Sequence, residues 1–223
     1  MADTGGDSGA EPSEAELIGG FLALDDLTST VSDAMDVLGI GRVVPASDLA
    51  PLADRYRVCG PAVTLRYLAE AGDAADRRGA GDPSRLGDRP LFTAASPGAV
   101  AVIDAGGRTD VAALGGIGAS LAARRLAGIV VDGAVRDTAT LVRLGLPVWC
   151  RGRSPVSGRH RLATVEAGGV VALGGVPVRP GDLVIGDSTG LCVVARERGA
   201  EVLALAQRIE RDEETVLGEL LQS

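Results

Sequence analysis

Arg136 and Asp137 stand side by side in the middle of the chain. A guanidinium grips a carboxylate through two parallel N–H donors. A neighbouring aspartate can ligate a hard cation such as magnesium or manganese. Together they match what a metal-bound 2-oxo acid requires, a fork for the acid and a ligand for the ion. Each residue also has a plainer role. Asp137 suits the N-cap of a helix starting at Thr138, and Arg136 suits a surface ion pair. On residue types alone both readings stand, and the structural one is the commoner.

Four further features could join such a site. Gly115-Gly116-Ile117-Gly118 opens or interrupts a helical stretch. Backbone amides bared at a helix N-terminus attract anions, and close helix packing is the alternative use of such glycines. The run is not a dinucleotide fingerprint, because Leu121 stands where the third glycine belongs. Glu213 falls on the apolar stripe of the last helix with Val202, Leu205, Ile209, Val216 and Leu220. A charge on that stripe needs a partner, inside the chain or across a subunit interface. His160, between Arg159 and Arg161, reads as an exposed or ion-paired loop residue. Asp104, Asp132, Asp182 and Asp187 follow strands or turns, where capping is the default role.

Composition excludes several chemistries. All 22 basic Lys/Arg positions are arginine, so there is no lysine. Schiff-base aldolases, pyridoxal phosphate enzymes and P-loops all need that amine. A single histidine cannot build a multi-histidine zinc site within one chain. Any metal is therefore expected on carboxylate and water, which favours Mg2+ or Mn2+. A net charge of −8, scattered arginines and 2% aromatics speak against nucleic-acid binding. No apolar run approaches the ~18 residues of a membrane span, and the acidic start does not resemble a signal peptide. Cys59, Cys150 and Cys192 are far apart, without a CxxC pair, and read as buried thiols of a cytoplasmic protein.

These residues must be carried by a core of Ala, Val, Leu and Ile, since aromatics are so few. Met1 to Pro12 reads as a disordered tail. Helices are expected over Ser13–Leu24 and Thr28–Leu38, and β structure over Tyr56–Tyr67. Glu70–Arg89 is expected as a loop or frayed helix. The centre alternates: a strand at Ala99–Ile103, a helix over Val111–Leu126, a strand from Gly128 ending at Asp132-Gly133, a helix at Thr138–Leu144 and a strand at Leu146–Cys150. That order predicts an α/β fold with a parallel sheet. Short strands follow Arg151, and an amphipathic helix covers about Glu197 to Leu221.

The segment Gly128-Ile-Val-Val-Asp-Gly-Ala-Val-Arg-Asp137 closely resembles the central signature of the RraA-like family. Val31–Gly39, Gly60–Thr64, Asp104–Gly107, Gly174–Asp182 and Asp187–Gly190 resemble further family blocks. The family includes class II 4-hydroxy-4-methyl-2-oxoglutarate aldolases, ribonuclease regulators and proteins once labelled demethylmenaquinone methyltransferases. The resemblance implies one β/β/α swivelling-type domain over residues 13–223. It also implies a homotrimer or hexamer with active sites between subunits. By motif match Asp137 becomes the metal ligand and Arg136 the substrate-contacting arginine. Gly115, Gly116, Ile117 and Gly118 would offer amides to the pyruvyl carboxylate, and Glu213 would be an acid lent by a neighbouring subunit. The implied reaction is a retro-aldol cleavage giving pyruvate, with oxaloacetate decarboxylation as a side activity through the same enolate. A metal-activated or carboxylate-held water would take the C4 hydroxyl proton. The sequence departs from the aldolases at Gly115 and Thr140, where acids are usual, and Asp104 or Asp110 are candidates to compensate. A relative acting on another carbonyl substrate, or a non-catalytic ribonuclease regulator, are the alternatives. The regulators lack the Arg-Asp pair present here.

Overall fold

The computed structural model describes residues 12–221. The expected tail falls outside them apart from Pro12. Helices α1 (Glu14–Ala23) and α2 (Leu27–Val37) come first. Strands β1 (Val43–Pro45), β2 (Ala50–Pro51) and the long β3 (Val58–Ala69) follow. Next are α3 (Ala74–Gly79), α4 (Asp88–Ala94), β4 (Val100–Leu114) and α5 (Gly116–Ala122). β5 (Gly128–Val135), α6 (Thr138–Leu144) and β6 (Val148–Arg153) complete the central alternation. Then come β7 (Leu162–Ala167), β8 (Val171–Leu173), β9 (Val176–Val178), β10 (Leu183–Gly186) and β11 (Gly190–Val194). α7 (Gly199–Leu220) closes the fold.

Local signals explain several ends. Ser13 accepts from the Glu16 amide at 3.3 Å while the Glu16 carboxylate accepts from the Ser13 amide at 2.8 Å, a reciprocal cap that starts α1. Gly145 stops α6 at φ 71°, a left-handed position that glycine takes without steric cost. The segment expected as a loop or frayed helix holds α3 and the start of α4.

Strand order is β1-β11-β10-β3-β4-β5-β6-β2, with β7 also on β3. β3, β4, β5 and β6 are mutually parallel. Residues of β4 and β5 alternate between two cores. Ala101, Ile103, Ile129 and Val131 face α4, α5 and α6. Val100, Val102 and Val130 face Trp149 and the β8–β9 hairpin. Burial on both faces is what a parallel sheet demands and why β5 has no exposed position. A third core packs α1, α2 and α7 on β10 and β11.

Two boundaries differ from the sequence expectation, for one reason. Val111–Leu114 was expected in a helix but continues β4, with Ala112 and Leu114 opposite Ala134 and Val135. β5 accordingly runs past Asp132-Gly133 to Val135. All four residues from Val111 to Leu114 are buried. A fully buried apolar run has no period to distinguish strand from helix, so pairing with β5 decides it.

Candidate active site

β5 delivers the site. Its last residue, Val135, accepts a hydrogen bond from the Ser154 amide at 3.0 Å, and the Arg136 amide donates to the Leu114 carbonyl at 2.9 Å. The chain then turns sharply. Asp137 has φ 56°, the left-handed region, which costs a non-glycine residue roughly 1–2 kcal/mol. Its carbonyl accepts from the amides of Thr140 (2.9 Å) and Leu141 (3.1 Å), starting α6. The expected side-chain N-cap of α6 is absent. Instead the turn swings the carboxylate across to α5, where Oδ2 accepts from the Gly116 amide at 2.9 Å. Gly115 sits at the cap of α5 and has no side chain to cap it, so Asp137 supplies the acceptor.

A cleft of about 760 Å³ opens over this turn. Gly116, Ile117 and Ser120 of α5 form one wall, Thr138 and Thr140 of α6 another, and Arg153, Ser154 and Pro155 a third. Val135, Arg136 and Asp137 lie between them. The Arg136 and Asp137 side chains keep 36% and 41% of their surface, with Nε and Oδ1 3.4 Å apart. Two guanidinium groups thus share the cleft with one carboxylate, in a chain of net charge −8. Sequence reasoning missed Arg153. The signal was available: Arg153 ends a parallel strand just as Arg136 follows one, and ligands gather at such ends.

A family profile described as Aldolase/RraA matches residues 28–193. The chain belongs to the RraA-like family. A relative from Halalkalibacterium halodurans, provisionally named 4-hydroxy-4-methyl-2-oxoglutarate aldolase, is 33% identical over 188 residues, 84% of this chain and 81% of its own. Streptomyces coelicolor RraAS2, described as an unusual member of the RNase ES inhibitor RraA protein family, is 30% identical with a TM-score of 0.74. That match covers 93% of this chain and 98% of RraAS2. An uncharacterized Pseudomonas syringae protein aligns with TM-score 0.81 and 26% identity, over 95% and 91% of the two chains. The mixed α/β fold with its C-terminal helix is that of the RraA structures.

This RraA-like chain gathers only some of the expected residues. Arg136, Asp137, Gly116 and Ile117 line the cleft. Gly118 lies beneath it, buried against Asp88. A Cβ on Gly115 would lie 3.0 Å from Asp137 Oδ2 and 3.2 Å from Arg136 Cγ. A side chain at 115 would therefore start in tight contact with the Arg-Asp pair. Glu213 is exposed on α7 and does not line the cleft of its own chain. The apolar stripe expected to carry it stops being buried after Ala206, and Val216 is 55% exposed. Asp104 and Asp110, the candidates to compensate for Gly115, do not line the cleft of their own chain. Asp104 is buried on Arg66 and two backbone amides, and Asp110 pairs with Arg108 on the surface. That ion pair holds the Asp110 carboxyl below its ordinary range.

Asp182 and Asp187 keep the turn roles expected of them, whereas Asp132 departs from that role in an ion pair with Arg151. Asp182 accepts from Arg42 and the Arg179 amide, and Asp187 from Thr28 and the Thr189 amide. His160 departs from expectation: it is 4% exposed, in a left-handed turn at φ 63°. The three cysteines are buried free thiols. Burial pushes Cys59 and Cys192 up to about 12 and Cys150 to about 11. Among the described residues no helix is long and apolar enough to cross a membrane.

No group of three or more His, Cys, Asp or Glu poised for a metal occurs among the described residues. Among the described residues Asp137 is the one carboxylate of the cleft. That donor set does not suit a resident zinc cage. It fits a hard cation that keeps most of its water and takes further oxygens from substrate, as magnesium does.

Proposed function

We propose that this protein is a divalent-metal-dependent lyase for small 2-oxo acids. It cleaves substrates of the 4-hydroxy-4-methyl-2-oxoglutarate type to pyruvate and decarboxylates oxaloacetate as a side activity. The observation that carries this reading is the pair Arg136–Asp137, half exposed in a cleft whose arginines outnumber its acids. Aldolase-named relatives support the reaction class.

Without lysine, the chain cannot hold the substrate as a Schiff base. Arg136 must then do the electrostatic work. Its fork holds the 2-oxo acid and faces the oxygen on which charge grows as the C3–C4 bond breaks. The electron pair of that bond becomes the pyruvate enolate, the C4 hydroxyl loses its proton and becomes the new carbonyl, and C3 is reprotonated. Asp137 would hold magnesium or manganese, which supplies Lewis-acid polarisation of the 2-oxo group when bound. Of the first-turn amides of α5, Gly116 already donates to Asp137 and Gly118 lies beneath the cleft, so the Ile117 amide would receive the pyruvyl carboxylate. The cleft holds no second acid among the described residues. By the family resemblance, Glu213 of a second copy, in a homotrimer or hexamer, would hold the water that takes the C4 proton.

The test is pyruvate release from 4-hydroxy-4-methyl-2-oxoglutarate and from oxaloacetate, with magnesium, with chelator, and in Arg136→Ala. The expected result is release that needs the metal and falls about 10²–10³-fold in the variant. No release from either acid by folded protein would overturn the lyase. It would leave a different carbonyl substrate, or the ribonuclease-regulator reading that the likeness to RraAS2 suggests.

A further inference from the structure

We propose that Arg153 receives a second carboxylate of the substrate, so that the cleft selects dicarboxylic 2-oxo acids over monocarboxylic ones. The inference rests on the lyase reading for its reaction but on separate residues for its evidence. Arg153 pairs in register with Val135 across β5 and β6, one residue from Arg136. Its position is pinned on the following residue: the Ser154 amide donates to Val135 and its hydroxyl donates to the Asp110 carbonyl at 2.8 Å. Two residues earlier, Arg151 is committed to Asp132. The Arg153 side chain makes no hydrogen bond or ion pair among the described residues, and the residue is exposed at the cleft wall.

Arg136 has Asp137 at 3.4 Å, whereas the Arg153 side chain lines the same cleft without an acid partner among the described residues. A ligand with two carboxylates engages both arginines. One carboxylate sits with Arg136 and the Ile117 amide, and the other meets the planar fork of Arg153, which matches carboxylate geometry. Between them Val135, Ile117 and Pro155 present an apolar wall suited to a short carbon chain. The volume of about 760 Å³ lies within the range of small-molecule sites.

The experiment compares pyruvate release from 4-hydroxy-4-methyl-2-oxoglutarate, with two carboxylates, and from 4-hydroxy-2-oxopentanoate, with one. Wild type, Arg153→Ala and Arg153→Lys are assayed as the assembled magnesium-loaded protein. Arg153→Ala is expected to raise KM for the dicarboxylate about tenfold or more, with kcat nearly unchanged and the monocarboxylate unaffected. Arg153→Lys should recover part of the loss, since it restores charge without the fork. Equal effects on both acids, or none, overturn the proposal. A changed sedimentation profile with equal loss also overturns it and marks Arg153 as an assembly residue. If wild type cleaves neither acid, the lyase reading fails by itself. Thermal shifts with 2-oxoglutarate and 2-oxobutyrate then decide the fate of Arg153. Stabilisation by 2-oxoglutarate that disappears in Arg153→Ala, with 2-oxobutyrate acting alike on both, supports it. Identical responses of the two proteins overturn it.

Discussion

Arg66–Asp104 and Arg151–Asp132 lie on the same parallel strands that lead to Arg136–Asp137, yet the two kinds of pair are used differently. Asp104 meets Arg66 at 3.2 Å and also accepts from the amides of Gly106 (2.9 Å) and Ala172 (3.1 Å). Asp132 meets Arg151 and accepts from the Gly174 amide at 2.8 Å. Both side chains are at most 10% exposed, and both tie the β8–β9 hairpin to the sheet. Asp137 is 41% exposed, has one backbone donor and stands 3.4 Å from its arginine. The residue types are identical. What differs is how many lone pairs are already spoken for. A saturated carboxylate staples the fold, and an undersaturated one at a cleft can take a cation or face a substrate.

The comparison breaks most readily at Asp132. Replacing it with Ala leaves Arg151 and the Gly174 amide without their acceptor. The expected loss is roughly 3 kcal/mol of unfolding free energy, read by urea denaturation. Arg136→Ala, by contrast, should leave the urea midpoint nearly unchanged while it lowers turnover about 10²–10³-fold. A large midpoint shift there would mean that Arg136 is a staple as well.

A smaller effect probes the left-handed turn. Asp137→Gly relieves the φ 56° strain, whereas Asp137→Ala keeps it, and both lose the cap on α5. The glycine variant should be about 1 kcal/mol more stable than the alanine one, with both inactive. Equal stability would show that the turn stores no strain for function. The smallest effect concerns Asp88, which lies beside Gly118 beneath the cleft. Burial pushes its carboxyl above the ordinary 3.8, against lesser opposing contributions that include the charge of Arg89. A raised folded-state pKa means that the native protein binds the proton more tightly than the unfolded chain. The stability it contributes is full below the unfolded value and is lost as pH rises through the folded one. Asp88→Asn should therefore gain on wild type as pH rises above the ordinary 3.8, with the gap closing in acid, read by urea denaturation across pH. A gap that opens in acid instead would reverse the assignment.

Much of this was legible beforehand. The apolar runs at Ala99–Ile103 and Gly128–Val131 could be read as strands because their hydrophobicity is local and uninterrupted. The stops at Gly39 and Gly145 could be read because a left-handed φ favours glycine wherever it occurs. Arg136 and Asp137 were visible as neighbours on the chain. His160 was misjudged because its flanking arginines describe the loop and not what packs over it.

By itself, then, the amino-acid sequence determined the alternation of strands and helices, the family and the chemistries that a chain without lysine must forgo. Those follow from residue type and from spacings of a few positions. Only the tertiary structure decided which aspartates are saturated, because their partners lie 68 positions away for Asp104 and 42 for Asp132. It also decided that Val111–Leu114 is strand, that Arg153 joins Arg136 at one cleft, and that Asp137 turns from its own helix to cap α5. Each depends on which distant backbone arrives beside a side chain, and that is a property of the sheet register.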